Sequence, residues 1–119
     1  MKTRLTHVRA NVHDLDKAVE WYESVLGFEC DCKDIHEQGG YAHFVSDGGA
    51  VFALATDENV PSHGRFNFDV DDVDALWKRL KGKAEIVNPV EIAHGTRYFS
   101  IKDLDGNVLG FCQRNCELK

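Results

Sequence analysis

Between Asp14 and Gly27 the apolar residues Leu15, Ala18, Val19, Tyr22, Val25 and Leu26 recur at spacings of three and four. That period predicts a helix with one buried face. Asp14 stands where an N-cap belongs, and Gly27 where a left-handed terminating glycine belongs. On either side the period changes. Residues 5–12 carry β-branched residues with partial alternation, and 28–33, 41–46 and 50–56 are further strand-like runs. The turn formers Gln38-Gly39-Gly40 and Asp47-Gly48-Gly49 separate them.

Residues 57–64 are polar, contain Pro61 and read as a linker, after which the order recurs. Residues 65–70 form a strand, Asp72 caps a helix striped by Val73, Leu76, Trp77 and Leu80, and Gly82 ends it. Strands follow at 85–92, 97–102 and 107–114. The two halves superpose as text. Val12-His13-Asp14-Leu15-Asp16 lies on Val70-Asp71-Asp72-Val73-Asp74 at an offset of 58. Gly49-Ala50-Val51-Phe52-Ala53-Leu54 lies on Gly106-Asn107-Val108-Leu109-Gly110-Phe111 at an offset of 57. One spacing serving both ends implies a βαβββ module written twice, 1–56 and 65–119, within a single mixed α+β domain.

Charge narrows the partners. The net charge of −6 and the dispersed Lys and Arg residues argue against nucleic acid. No apolar run is long enough to span a bilayer, so no membrane partner is expected. The first residues, Met1-Lys2-Thr3-Arg4-Leu5, lack the features of a signal peptide, and a cytoplasmic location is expected. Cys30-x-Cys32 and Cys112-x₃-Cys116 have neither zinc-ribbon nor redox spacing and are expected as reduced, packing thiols, with Cys30 and Cys32 on one strand face.

Three stretches carry a family resemblance: VHDLDKAVEWYESVLGFE (12–29), FDVDDVDALWKRL (68–80) and GTRYFSIKDLDGNVLGF (95–111). Together they resemble the vicinal oxygen chelate superfamily of glyoxalases, bleomycin-resistance proteins, extradiol dioxygenases and fosfomycin-modifying enzymes, over essentially the whole chain. The resemblance implies eight strands in two modules with curled mixed sheets enclosing a pocket, completed as a homodimer. In metalloenzymes of that family the first and last strands of each module supply the ligands. The matching positions here are His7, Ala53, Arg65 and Gly110. Alanine and glycine offer no donor, and arginine stays protonated without a lone pair to give. The familiar metal site therefore reads as dismantled, and no cofactor is expected.

Strand parity fills the rest of the site. If His7 faces the pocket, so do Leu5, Arg9 and Asn11; Arg65 brings Asn67 and Asp69, and Gly110 brings Val108 and Cys112. The expected ligand-binding set is His7, Arg9, Ala53, Arg65, Asn67 and Gly110, suited to an anionic or carbonyl-rich small molecule held by sequestration in resistance or detoxification. Structural readings stand beside it. His7 fits a buried strand histidine, Arg9 a bridge to Asp69 or Glu91, Arg97 a brace for the closing hairpin, and Trp21 and Trp77 the helix–sheet core. One of Tyr98 and Phe99 faces the pocket. The alternative function is a metal-dependent lyase, dioxygenase or thiol transferase. It would retain His7 in an atypical divalent-metal set, for example with His43 or His63 and Glu58. A metal-free acid–base enzyme using His7 is the third reading; no catalytic residue is assigned.

Overall fold

The computed structural model describes residues 1–36, 39–56, 60–93 and 95–114. In its first half, strand β1 (His7–Asn11) leads into helix α1 (Leu15–Trp21), and β2 (Cys30–His36), β3 (Gly39–Phe44) and β4 (Val51–Ala55) follow. The second half repeats this order as β5 (Arg65–Asp69), α2 (Val73–Leu80), β6 (Glu85–Ala93), β7 (Thr96–Lys102) and β8 (Val108–Arg114). Each half has its own four-stranded sheet, ordered β1-β4-β3-β2 in one and β5-β8-β7-β6 in the other. In both, the first and last strands pair in parallel and the remaining pairs are antiparallel. Neither sheet closes on itself. The chain divides into two compact units, Met1–Ser62 and His63–Lys119.

Capping fixes both helix starts. The Asp14 carboxylate accepts the Lys17 N–H at 3.1 Å, and the Asp72 carboxylate accepts the Ala75 N–H at 3.0 Å. Gly27 ends the first helical segment at φ 80°. Its final turn, Tyr22–Leu26, is wound more widely, as a π-type turn that nothing in the residue pattern signals. Tyr22, 1% exposed, sits among Phe28, Phe44 and Phe52 with ring centroids 5.4–5.7 Å apart. These rings, with buried Ala10, Val12, Ala42 and Leu54, form the core of the first unit. In the second, Leu80 and Val73 are buried with Phe99, Ile101, Leu109 and Phe111, and Trp77 meets Phe99 edge-on at 5.4 Å.

Several boundaries move from their expected places. β2 begins at Cys30 rather than 28, because Phe28 is drawn into the aromatic core. β2 also runs to His36 and β3 starts at Gly39, so Gly39 and Gly40, expected in a turn, are strand residues, and Gln38 lies outside the described residues. Gly40 serves packing instead of turning: a Cβ there would lie 2.8 Å from Leu15 Cδ2 of α1. The register also shifts between Cys30 and Cys32, which oppose Phe44 and His43. These two cysteines therefore do not share a face, and Asp31 is the extra residue of a β-bulge.

Candidate functional site

Residue alternation leaves each sheet a second face that its helix does not cover. In the second unit Phe66, Phe68, Phe99, Phe111 and Leu109 point toward the helix layer, so Arg65, Asn67, Tyr98, Gly110 and Cys112 take the other side. There a hollow of about 300 Å³ is lined by Arg65, Asn67, Thr96, Tyr98, Gly110, Phe111 and Cys112. Asn67 lies directly opposite Gly110 on the neighbouring strand. A Cβ on Gly110 would fall 2.2 Å from Asn67 Oδ1 and 3.3 Å from Arg65 Nε. The missing side chain is the seat of the Asn67 amide, and Arg65 Nε–H donates to Asn67 Oδ1 at 3.2 Å. That bond fixes the guanidinium plane while its two terminal nitrogens still carry donors and charge.

The floor is tied down behind this pair. Ser100, fully buried and opposite Gly110, donates its hydroxyl to Asn88 Oδ1 at 2.9 Å. Tyr98 donates to Glu91 Oε2 at 2.9 Å. Hydrogen bonding to Glu91 and the charge of that carboxylate hold the Tyr98 phenol above its ordinary value, against an opposing pull from Arg65. Cys112 Sγ lies 3.4 Å from the Phe68 carbonyl, as its donor. Arg97 reaches α2 instead of the hollow, with Nε 3.7 Å from Asp74 Oδ2.

On the first unit's uncovered face, Arg9 lies opposite Ala53, and Ala53 opposite His43. His7 is exposed, with Nδ1 3.3 Å from Thr6 Oγ1, which corrects its reading as a buried strand histidine. Arg9 is also exposed, and Ala53 is fully buried. Glu91, considered as a partner for Arg9, receives the Tyr98 hydroxyl. The six expected residues thus fall three to a unit: Arg65, Asn67 and Gly110 come together in one hollow, and His7, Arg9 and Ala53 share the uncovered face of the other sheet.

The four positions that a metalloenzyme of the resembled family would use do not make a metal set. Ala53 and Gly110 carry no donor, Arg65 puts a fixed cation there, and Asn67 Oδ1 already fills the space over Gly110. Among the described residues no cluster of three or more His, Cys, Asp or Glu could hold a metal, and no buried side-chain nitrogen or oxygen lacks a partner. Of the alternative ligands, His63 is exposed, His43 is engaged through both ring nitrogens, and Glu58 lies outside the described residues. Sequence reasoning left the direction of Tyr98 open; its register opposite Cys112 settles that it faces the hollow. Thr96 shares that parity and was overlooked, as was Tyr41, two residues before His43 on β3.

Comparison with known proteins places this geometry. The family model described as Glyoxalase/Bleomycin resistance protein/Dioxygenase superfamily matches residues 4–111. A probable lactoylglutathione lyase of Vibrio cholerae is 30% identical, over 92% of this chain and 90% of its own length. Among solved structures, an antibiotic-binding protein from Streptomyces sp. CB03234 superposes with TM-score 0.81 at 23% identity, covering 95% of this chain and 97% of that one. The fosfomycin resistance protein FosX of Listeria monocytogenes, solved with Mn(II) and 1S,2S-dihydroxypropylphosphonic acid, gives TM-score 0.73 at 18% identity, covering 93% and 92%.

Proposed function

The chain belongs to the glyoxalase/bleomycin resistance protein/dioxygenase superfamily, and on that premise we propose that it binds an anionic or carbonyl-rich small molecule without a metal, in resistance or detoxification by sequestration. The observation that carries this reading is the Gly110 seat. Where family resemblance puts a metal ligand, the absent side chain makes room for Asn67, and Asn67 in turn orients Arg65. A planar cationic fork with an amide beside it recognises carboxylate, phosphonate or carbonyl oxygens by paired N–H donation. An antibiotic-binding protein of the same fold supports the binding of a small molecule as a use of that fold. Bound ligand would contact Arg65 and Asn67 in the hollow of the second unit; His7, Arg9 and Ala53 are the corresponding ligand contacts proposed on the uncovered face of the first. On this reading the two units act as one domain joined through 57–64, in a cytoplasmic homodimer.

Calorimetric titration with a panel of small carboxylates and phosphonates tests the reading. Saturable binding that falls at least tenfold in Arg65→Ala, with no turnover of the bound compound, is the expected result. Binding unchanged in Arg65→Ala would overturn it. The second reading, a metal-dependent lyase retaining His7, is favoured by the 30% identity to a probable lactoylglutathione lyase. Lactoylglutathione lyase activity that appears on adding a divalent metal and disappears in His7→Ala would establish it.

A further inference from the structure

The first unit's uncovered face carries an acid–base constellation separate from the Arg65 hollow. His43 Nε2 lies 3.1 Å from Asp31 Oδ1, and His43 Nδ1 lies 3.0 Å from the Tyr41 hydroxyl. The rings of Tyr41 and His43 meet edge-on, with centroids 5.5 Å apart and planes at 82°. A carboxylate only accepts, so the proton on His43 belongs to Nε2. In the neutral ring Nδ1 is then a lone pair, and the Tyr41 hydroxyl is its donor. The order Asp31, His43, Tyr41 is that of a relay in which a carboxylate orients an imidazole and the imidazole polarises a hydroxyl.

The backbone is shaped to make this contact. Strict alternation would send Asp31 to the face opposite Cys32, and Cys32 is the residue that opposes His43. The bulge between Cys30 and Cys32 turns Asp31 back toward His43. On the other side of His43 stands Ala53, which takes little space on that face. The relay is also open to a ligand: the His43 and Asp31 side chains are 30% and 50% exposed.

We propose that Asp31, His43 and Tyr41 form a proton relay that binds a small molecule bearing an acidic hydroxyl, an enol or a phenol, and ionises it. The ligand O–H gives its proton to the Tyr41 oxygen as the Tyr41 proton passes to His43 Nδ1. The products are a ligand oxyanion, an unchanged phenol on Tyr41, and an imidazolium against the Asp31 carboxylate. Protons and charge balance without a further reactant, and the reverse transfer restores the starting state. Asp31 and Cys32 face His43 from β2, and Asp34 faces Tyr41; β4 presents only Ala53 and Ala55, with Arg9 and His7 beyond on β1. Of these, Arg9 favours the oxyanion and Asp34 opposes it.

The probe is 4-nitrophenol, whose phenolate is read by its visible absorbance across a pH titration with protein in excess. The apparent pKa of the bound probe is expected to fall by about one unit, a tenfold gain in phenolate at a given pH. Tyr41→Phe and His43→Gln are each expected to abolish the shift, and Asp31→Asn to reduce it. Failure of the probe to bind, an unshifted bound pKa, or the same shift in Tyr41→Phe would overturn the proposal. Nitrogen NMR of the unliganded chain gives an independent reading that needs no variant. Neutral His43 is expected to carry its proton on Nε2, and a proton on Nδ1 would contradict the relay. Neither readout involves Arg65, so this proposal and the proposed function can fail separately.

Discussion

Gly110 acts through the side chain it lacks, whose space the Asn67 amide takes. Its backbone is extended strand, so alanine is conformationally acceptable and shortens the list of unfolded states by a gain of about 0.4–1 kcal/mol. Against that gain, the new Cβ must displace Asn67 Oδ1, the movable end of a side chain. Gly110→Ala is therefore expected to leave thermal stability within about 1 kcal/mol of the parent. Its binding of anions should fall toward that of Arg65→Ala, because the guanidinium loses its anchor. A variant that binds normally would detach Asn67 from the site. Tyr98 gives a pH signature in the same hollow. Its folded value is raised above the unfolded phenol value near 10, so the Glu91 bond contributes fully below that pH and is lost as pH rises through the folded value. The difference in phenolate absorbance between the parent chain and Tyr98→Phe is expected to show Tyr98 titrating late. Arg65→Ala should delay it further, because Arg65 pulls the value down.

At the scale of elements, caps and turns set where structure starts and the cores decide where it ends. Replacing Asp14 or Asp72 by alanine is expected to cost about 1 kcal/mol each in chemical denaturation, the usual value of an N-cap. The closing hairpin is more sensitive. The buried Asp103 carboxylate accepts the N–H groups of Asp105 and Asn107 at 2.8 and 2.9 Å, and the Asn107 side-chain amide at 2.9 Å. Asp103→Ala is expected to cost about 3 kcal/mol by orphaning those donors, and unchanged stability would contradict this. The same contrast explains what could be read from sequence. Helix stripes, caps and Gly27 are local signals, so the duplicated βαβββ order was legible from residue types alone. The bulge at Asp31 was not, because it is a mismatch between two strands and neither carries a mark of it. Parity correctly grouped Arg65, Asn67 and Gly110. It could not reveal that Asn67 occupies the glycine's space, which depends on cross-strand pairing.

For the whole molecule, duplication supplied two sheets of one topology whose uncovered faces have since acquired different chemistry. The second unit presents a guanidinium and an amide over a glycine, and the first a carboxylate, imidazole and phenol in series. In the metal-binding plan that the family resemblance implies, both units would have to contribute donors to one cation. Here Ala53 offers no donor from one unit, and Arg65 and Gly110 offer none from the other. On the proposed function, hydrogen-bond donors stand in place of metal coordination. The most direct test is the metal content of chain purified without chelator or affinity tag, followed by titration with zinc, nickel, manganese and iron(II). The expected result is a protein that stays empty at micromolar metal and binds carboxylates or phosphonates through Arg65. Near-stoichiometric metal that is lost in His7→Ala would contradict it.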